Sequence, residues 1–149
     1  MARYITVQAV KDAVPADILA RLTDDREDIS PPEIQESKIE ASMTKAEAFI
    51  DASLAKRYFV PLVLSELPDE VGELIRPLAL DMTVYFLYAR VEQWAKVKDK
   101  RDQVKTVLDA IVAGSMEIPG ARERRKAGVK FVAAEPIFSK KTRTVTEAD

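Results

Sequence analysis

Ile39, Met43, Ala46, Ile50 and Leu54 recur every three or four positions, so they line one face of a helix, with Lys38, Lys45, Glu47 and Lys56 largely on the other side. Upstream, Ser30 followed by Pro31, Pro32 and Glu33 has the chemistry of a helix start. It offers a hydroxyl cap, prolines where an amide would be unpaired anyway, and an acid at the positive end of the helix dipole. One long helix is therefore expected from there to about Tyr58. Pro61 has no amide proton and biases Val60 toward an extended conformation, so Arg57-Tyr58-Phe59-Val60-Pro61-Leu62 must turn a corner.

On the N-terminal side, Thr6 is placed to cap a short helix reaching about Val14, and Pro15 either breaks it or starts a second one over residues 17–22. Residues 23–28 read as a polar loop. Beyond the corner, residues 59–67 are apolar but interrupted by Pro61, which suits a loop packed on the core. Residues 69–92 return to helical spacing, with Val71, Leu74, Ile75, Leu78, Met82, Tyr85, Phe86 and Ala89 as a broad inward stripe. Pro77 interrupts that stripe at a cost of about 3 kcal/mol, which predicts a kink or break just before it. A further helix is expected over residues 98–113, with Val104, Val107, Leu108, Ile111 and Val112 inward and Gly114 as a left-handed cap.

Past Pro119 the pattern changes to a basic stretch, then Val129-Lys130-Phe131-Val132 and Ile137-Phe138, which favour extended structure. The helical part supplies no strand to pair with them. Val129, Phe131, Val132, Ile137 and Phe138 are therefore expected to dock on another chain, by strand addition or by burial of the two phenylalanines. The reading is an all-α protein: a small helical bundle over residues 1–119, with a long central helix, two further main helices and short N-terminal helices. Residues 120–149 form its basic, extended docking tail.

Composition fits that outline. A chain of 149 residues that is 47% hydrophobic and 32% charged can bury one modest core, and four glycines argue against a turn-rich β fold. No apolar run is long enough to cross a bilayer and the N-terminus lacks the apolar core of a secretory signal, so no membrane partner and a cytoplasmic site of synthesis are expected. The absence of both cysteine and histidine removes disulfides, thiolate nucleophiles, the usual zinc sites and histidine bases. No glycine-rich phosphate loop occurs either, and neither a cofactor nor an enzymatic role is expected.

Charge is unevenly placed. Residues 1–118 hold 15 Lys/Arg against 21 Asp/Glu, whereas residues 119–149 hold 8 against 4. The acidic body thus carries a basic tail, in which Arg122, Arg124, Arg125, Lys126 and Lys130 offer an alternative reading as a nucleic-acid-binding module. Asp81 is the odd residue in its helical stripe, and a carboxylate drawn into a core wants a partner. Arg57 at the end of the long helix is the expected one, as a structural ion pair. An acid pair of Asp51 and Asp81 is the catalytic reading of the same residues, and the ion pair is preferred to it. Tyr58, Tyr85, Tyr88 and Trp94 are expected at the core and its rim.

The ordered motifs carry a resemblance. They are Ala-Phe-Ile-Asp-Ala-Ser-Leu at 48–54, the corner at 57–62, Leu-Ala-Leu-Asp-Met-Thr-Val-Tyr at 78–85, Leu-Asp-Ala-Ile-Val-Ala-Gly at 108–114 and Met-Glu-Ile-Pro at 116–119. Together with Tyr4-Ile5-Thr6 and, near the end, Ile137-Phe138-Ser139, they resemble the small head-to-tail joining proteins of Mu-like tailed phages and prophages. These are similar in fold to connector proteins under the portal of other long-tailed phages. The resemblance implies a virion protein of the neck, assembled in the host cytoplasm, that forms a ring of about twelve copies between the portal protein and the next neck or tail-terminator protein. It implies that double-stranded DNA passes through the ring without being gripped, and it implies no catalysis.

Overall fold

The longest helix is also the one that every other element leans on. In the computed structural model, which describes residues 4–124, α1 spans Val7–Ala13, α2 Ala16–Thr23, α3 Glu36–Leu54, α4 Asp69–Arg90 and α5 Lys98–Ala113, with 3-10 turns at Leu64–Glu66 and Trp94–Val97. Helix α4 packs along α3 and also meets α1, α2, α5 and both short turns. The all-α bundle is as expected, with α4 at its centre in place of α3. No described helix is long and apolar enough to cross a membrane.

The 3.6-residue stripe accounts for the core. Ile39, Met43, Ala46, Ile50 and Leu54 are all buried along α3, facing Val71, Ile75, Leu78 and Met82 on α4 and Val104, Leu108 and Ile111 on α5. The α4 face is wider than expected, because Ala79, Thr83, Val84 and Leu87 are buried too. Thr83 satisfies its hydroxyl by donating to the Ala79 carbonyl one turn back, at 2.7 Å.

Local punctuation works largely as the residues dictate. The Thr6 hydroxyl accepts from the Ala9 amide at 3.2 Å, Pro15 both follows α1 and opens α2, and Gly114 closes α5 at φ 89. Two expectations need correction. Helix α4 runs unbroken through Pro77, because Glu73 and Pro77 both lie on its exposed side, where water can reach the carbonyl left without a donor.

Helix α3 begins at Glu36, not near Ser30. The donors that would have started it earlier are taken by the end of α2. The Thr23 hydroxyl accepts from the Gln35 amide at 3.0 Å, and the Asp24 carboxylate accepts from the Arg26 and Glu33 amides at 2.9 and 2.8 Å. Residues 24–34 consequently form a loop held by acids, in which Asp25 also grips Arg90 and Lys38.

Hydrogen bonds from the Arg26 side chain, and then from the Arg26 and Glu33 amides, hold the Asp24 carboxyl well below its ordinary 3.8. Asp25 is lowered by Lys38 and Arg90. The folded state thus binds these protons less readily than the unfolded chain. Their stabilisation is complete above 3.8 and is lost as pH falls through that value toward the folded pKa. In thermal melts between about pH 2 and pH 7, Asp24→Asn should lower the melting temperature at neutral pH and flatten the acid limb. An acid limb as steep as that of the parent chain would remove Asp24 from this role.

Candidate functional site

The corner after α3 is where four parts of the chain converge. At the end of α3 the Arg57 and Tyr58 amides both bond the Leu54 carbonyl, at 2.9 and 2.8 Å, which closes the helix and turns Tyr58 inward until it is 1% exposed. The Val60-Pro61 peptide is cis. Leu62 then re-enters the core, and its amide donates to the Tyr4 hydroxyl at 3.0 Å. Tyr4 in turn donates its hydroxyl to Asp51, while its backbone amide bonds the buried Glu47 at 2.9 Å. The N-terminal segment is thereby strapped across α3 and the corner together.

The chain returns to the same place after α5. The Ile118 amide donates to the Tyr58 hydroxyl at 3.1 Å, and Gly120, at φ 74, redirects the backbone beside Leu67 and Pro68. Tyr58 and Glu123 then form an antiparallel bridge. Its two bonds run from the Phe59 amide to the Arg122 carbonyl at 2.9 Å and from the Arg124 amide to the Arg57 carbonyl at 2.8 Å. Because the flanking residues exchange these bonds, the N–H and C=O of Glu123 itself point to the outer side of the rung.

Arg57 is the hub. One guanidinium nitrogen donates to the Ile111 and Met116 carbonyls at 2.8 and 3.2 Å, at the negative end of α5, and another reaches Glu123 at 2.6 Å and Glu117 at 3.6 Å. The Glu123 bond raises its pKa further, so it stays charged. The expected Arg57–Asp81 pair is not formed. Asp81 pairs instead with Lys100 at 3.1 Å and its side chain is 31% exposed. The packing of α4 on α5 turns it toward the first turn of α5, while Arg57 faces the last. Asp51 and Asp81 thus have different partners, and among the described residues no group of three or more acids could hold a metal ion.

Outside the hub, Phe59 is 46% exposed. The Arg122 and Arg124 guanidinium groups lie over its ring at 4.8 and 5.5 Å. With Glu123 these three line an open hollow of about 600 Å³. Two members of the expected basic tail, Arg122 and Arg124, are therefore part of the corner. Arg125, Lys126 and Lys130, and the expected docking residues Val129, Phe131, Val132, Ile137 and Phe138, lie outside the described residues. Of the aromatic set, Tyr58 is core, Tyr85 and Tyr88 are half-buried, and Trp94 is 49% exposed. Sequence reasoning missed Glu123, since 66 residues separate it from Arg57 and no local pattern joins them. It also missed Tyr4, whose place beside Thr6 gave no hint that its hydroxyl would serve the corner.

The family model described as Bacteriophage Mu, Gp36 matches residues 4–133. No curated protein matches the chain, and no solved structure does.

Proposed function

Because this chain belongs to the Bacteriophage Mu Gp36 family and is a Mu-like phage protein, we propose that it is a structural head-to-tail connector of the virion neck, a ring of about twelve copies beneath the portal. The observation that carries the reading is the extent of the family match, which takes in every described residue and runs on to residue 133. The proposed partners are further copies of the chain, the portal protein above, and the next neck or tail-terminator protein below. DNA would pass through the lumen, and the role is mechanical, not catalytic.

Two physical features support it. The body over residues 1–118 carries six more acids than bases, and a lumen of that sign repels phosphates, so DNA slides instead of sticking. The rung at Glu123 presents an outward backbone edge near the C-terminal end of the described residues, which suits strand addition by a neighbouring protein. The test is electron microscopy of the purified protein mixed with its portal, where rings seated on the portal are expected. Portals left bare beside monomers would sink the reading, and salt-sensitive DNA binding in that case would favour the nucleic-acid module.

A further inference from the structure

Ile29 is the most exposed large hydrophobic residue of the described chain, with its side chain entirely in solvent at the tip of the 24–34 loop. Its setting is specific. Glu27 and Asp28 precede it, and neither makes an ion pair among the described residues, whereas Asp24 and Asp25 are engaged in holding the loop. The loop base is pinned by the Arg26 guanidinium, which bonds Asp24 and the Pro31 carbonyl, and by Arg90. The result is an aliphatic knob on a tethered loop, flanked by Glu27 and by Asp28, whose carboxylate accepts from the Ser30 amide at 3.3 Å and lies near enough to Arg26 to help raise its pKa.

A matching hollow lies elsewhere on the molecule. Tyr4, Ile5, Ala9, Pro77 and Leu80 line a cavity of about 310 Å³ between the N-terminal strap, α1 and α4, and Arg76 stands at it. A dry cavity of about 150 Å³ is enough to take up benzene, so this one can hold a branched side chain with its neighbouring backbone. Arg76 folds back over Gly72, where a Cβ would come within 2.8 Å of its guanidinium. Among the described residues it makes no ion pair. The hollow, which Thr6 also lines, is mostly apolar with one cation outside any ion pair, and the knob is apolar with two carboxylates outside any ion pair, among the described residues.

We infer that Ile29 of one copy seats in this hollow on a second copy, with Glu27 and Asp28 closing on the partner's Arg76. Knob and hollow occupy different places on the protomer. Arg90, which tethers the loop, and Arg76 lie on α4 about 20 Å apart at 1.5 Å rise per residue. A contact joining two different surfaces of identical subunits is heterologous, and it closes into a ring when its rotation allows. The inference rests on the connector reading for the idea that copies associate, and adds which surfaces meet and by what chemistry.

The absence of cysteine makes the contact directly testable. The double variant Ile29→Cys, Leu80→Cys is mixed as heavy-isotope and natural protein, treated with a short bis-maleimide and digested. Mixed-isotope peptides joining position 29 to position 80 should appear, with a ladder of covalent multimers, and neither single variant should extend past a dimer. Ile29→Asp should weaken self-association at least tenfold with an unchanged monomer melting temperature, since the side chain packs against none of the described residues. Arg76→Glu should do likewise and be partly rescued by Asp28→Lys.

Cross-links confined to one chain would overturn the inference, as would a maleimide–diazirine reagent on the Leu80→Cys variant that labels residues 1–3 or 125–149 and not residue 29 of another copy. So would portal-bound rings that ignore Ile29→Asp, while leaving the connector reading in place. Multimers joined through positions 29 and 80 that never bind a portal would do the reverse.

Discussion

Tyr58→Ala should destabilise the protein by about 3–5 kcal/mol, the range for deleting a buried aromatic ring, whereas Tyr58→Phe should cost only about 1–3 kcal/mol. The ring is 1% exposed in the core cluster, so its removal leaves a cavity at the point where the turn after α3 meets the segment after α5. The phenylalanine variant keeps the packing and strands only the Ile118 amide, which now donates to the Tyr58 hydroxyl at 3.1 Å. A domain of this size is stable by about 5–15 kcal/mol in total. The alanine variant is therefore expected near the edge of folding, and chemical denaturation followed by far-ultraviolet circular dichroism gives both numbers. Equal losses for the two variants would mean that the hydrogen bond, not the ring, holds the joint.

Pro77→Ala works in the opposite direction and should stabilise the protein by about 1–2 kcal/mol. In a helix interior proline is about 3 kcal/mol worse than alanine. Replacing it restores an amide to bond the Glu73 carbonyl and removes the ring's clash with that carbonyl. Part of the gain is offset because alanine leaves the unfolded chain freer by up to about 1 kcal/mol. A rise of about 3–8 °C in melting temperature is the expected readout. No rise would mean that α4 has already relaxed around the proline. Pro77 also lines the hollow proposed for Ile29, so a variant that melts higher but associates more weakly would identify the proline as a surface requirement.

The elements that could be read from the sequence are those whose signals are local. The α3 stripe, the Thr6 cap, the Gly114 stop and the corner at Pro61 each depend on residues within a turn or two of one another, and each is found where the pattern puts it. The start of α3 failed because its competitor lies about ten residues back in the chain. Thr23 and Asp24 capture the Gln35 and Glu33 amides, which the pattern of Ser30 and the prolines assigns to a helix. The corner's importance was legible in Arg57 and Tyr58, yet its partners were not. The apolar surroundings of Asp81 point to Arg57 as its partner, but which charges meet depends on how α4 and α5 are rotated against each other. Glu123 falls in a stretch that reads as tail, where one acid among basic neighbours gives no sign of a partner 66 residues away.

The rung between Tyr58 and Glu123 also fixes how the protein bears a load. Along the chain back from Arg124, the Arg124–Arg57 backbone bond comes first, then the Arg57–Glu123 pair, then the Phe59–Arg122 backbone bond. Arg57 in turn bonds the Ile111 carbonyl in the last turn of α5 and the Met116 carbonyl just past it, and its own amide bonds the end of α3. A load that reaches Glu123 is thus handed, through a single arginine, to both helices that end beside it.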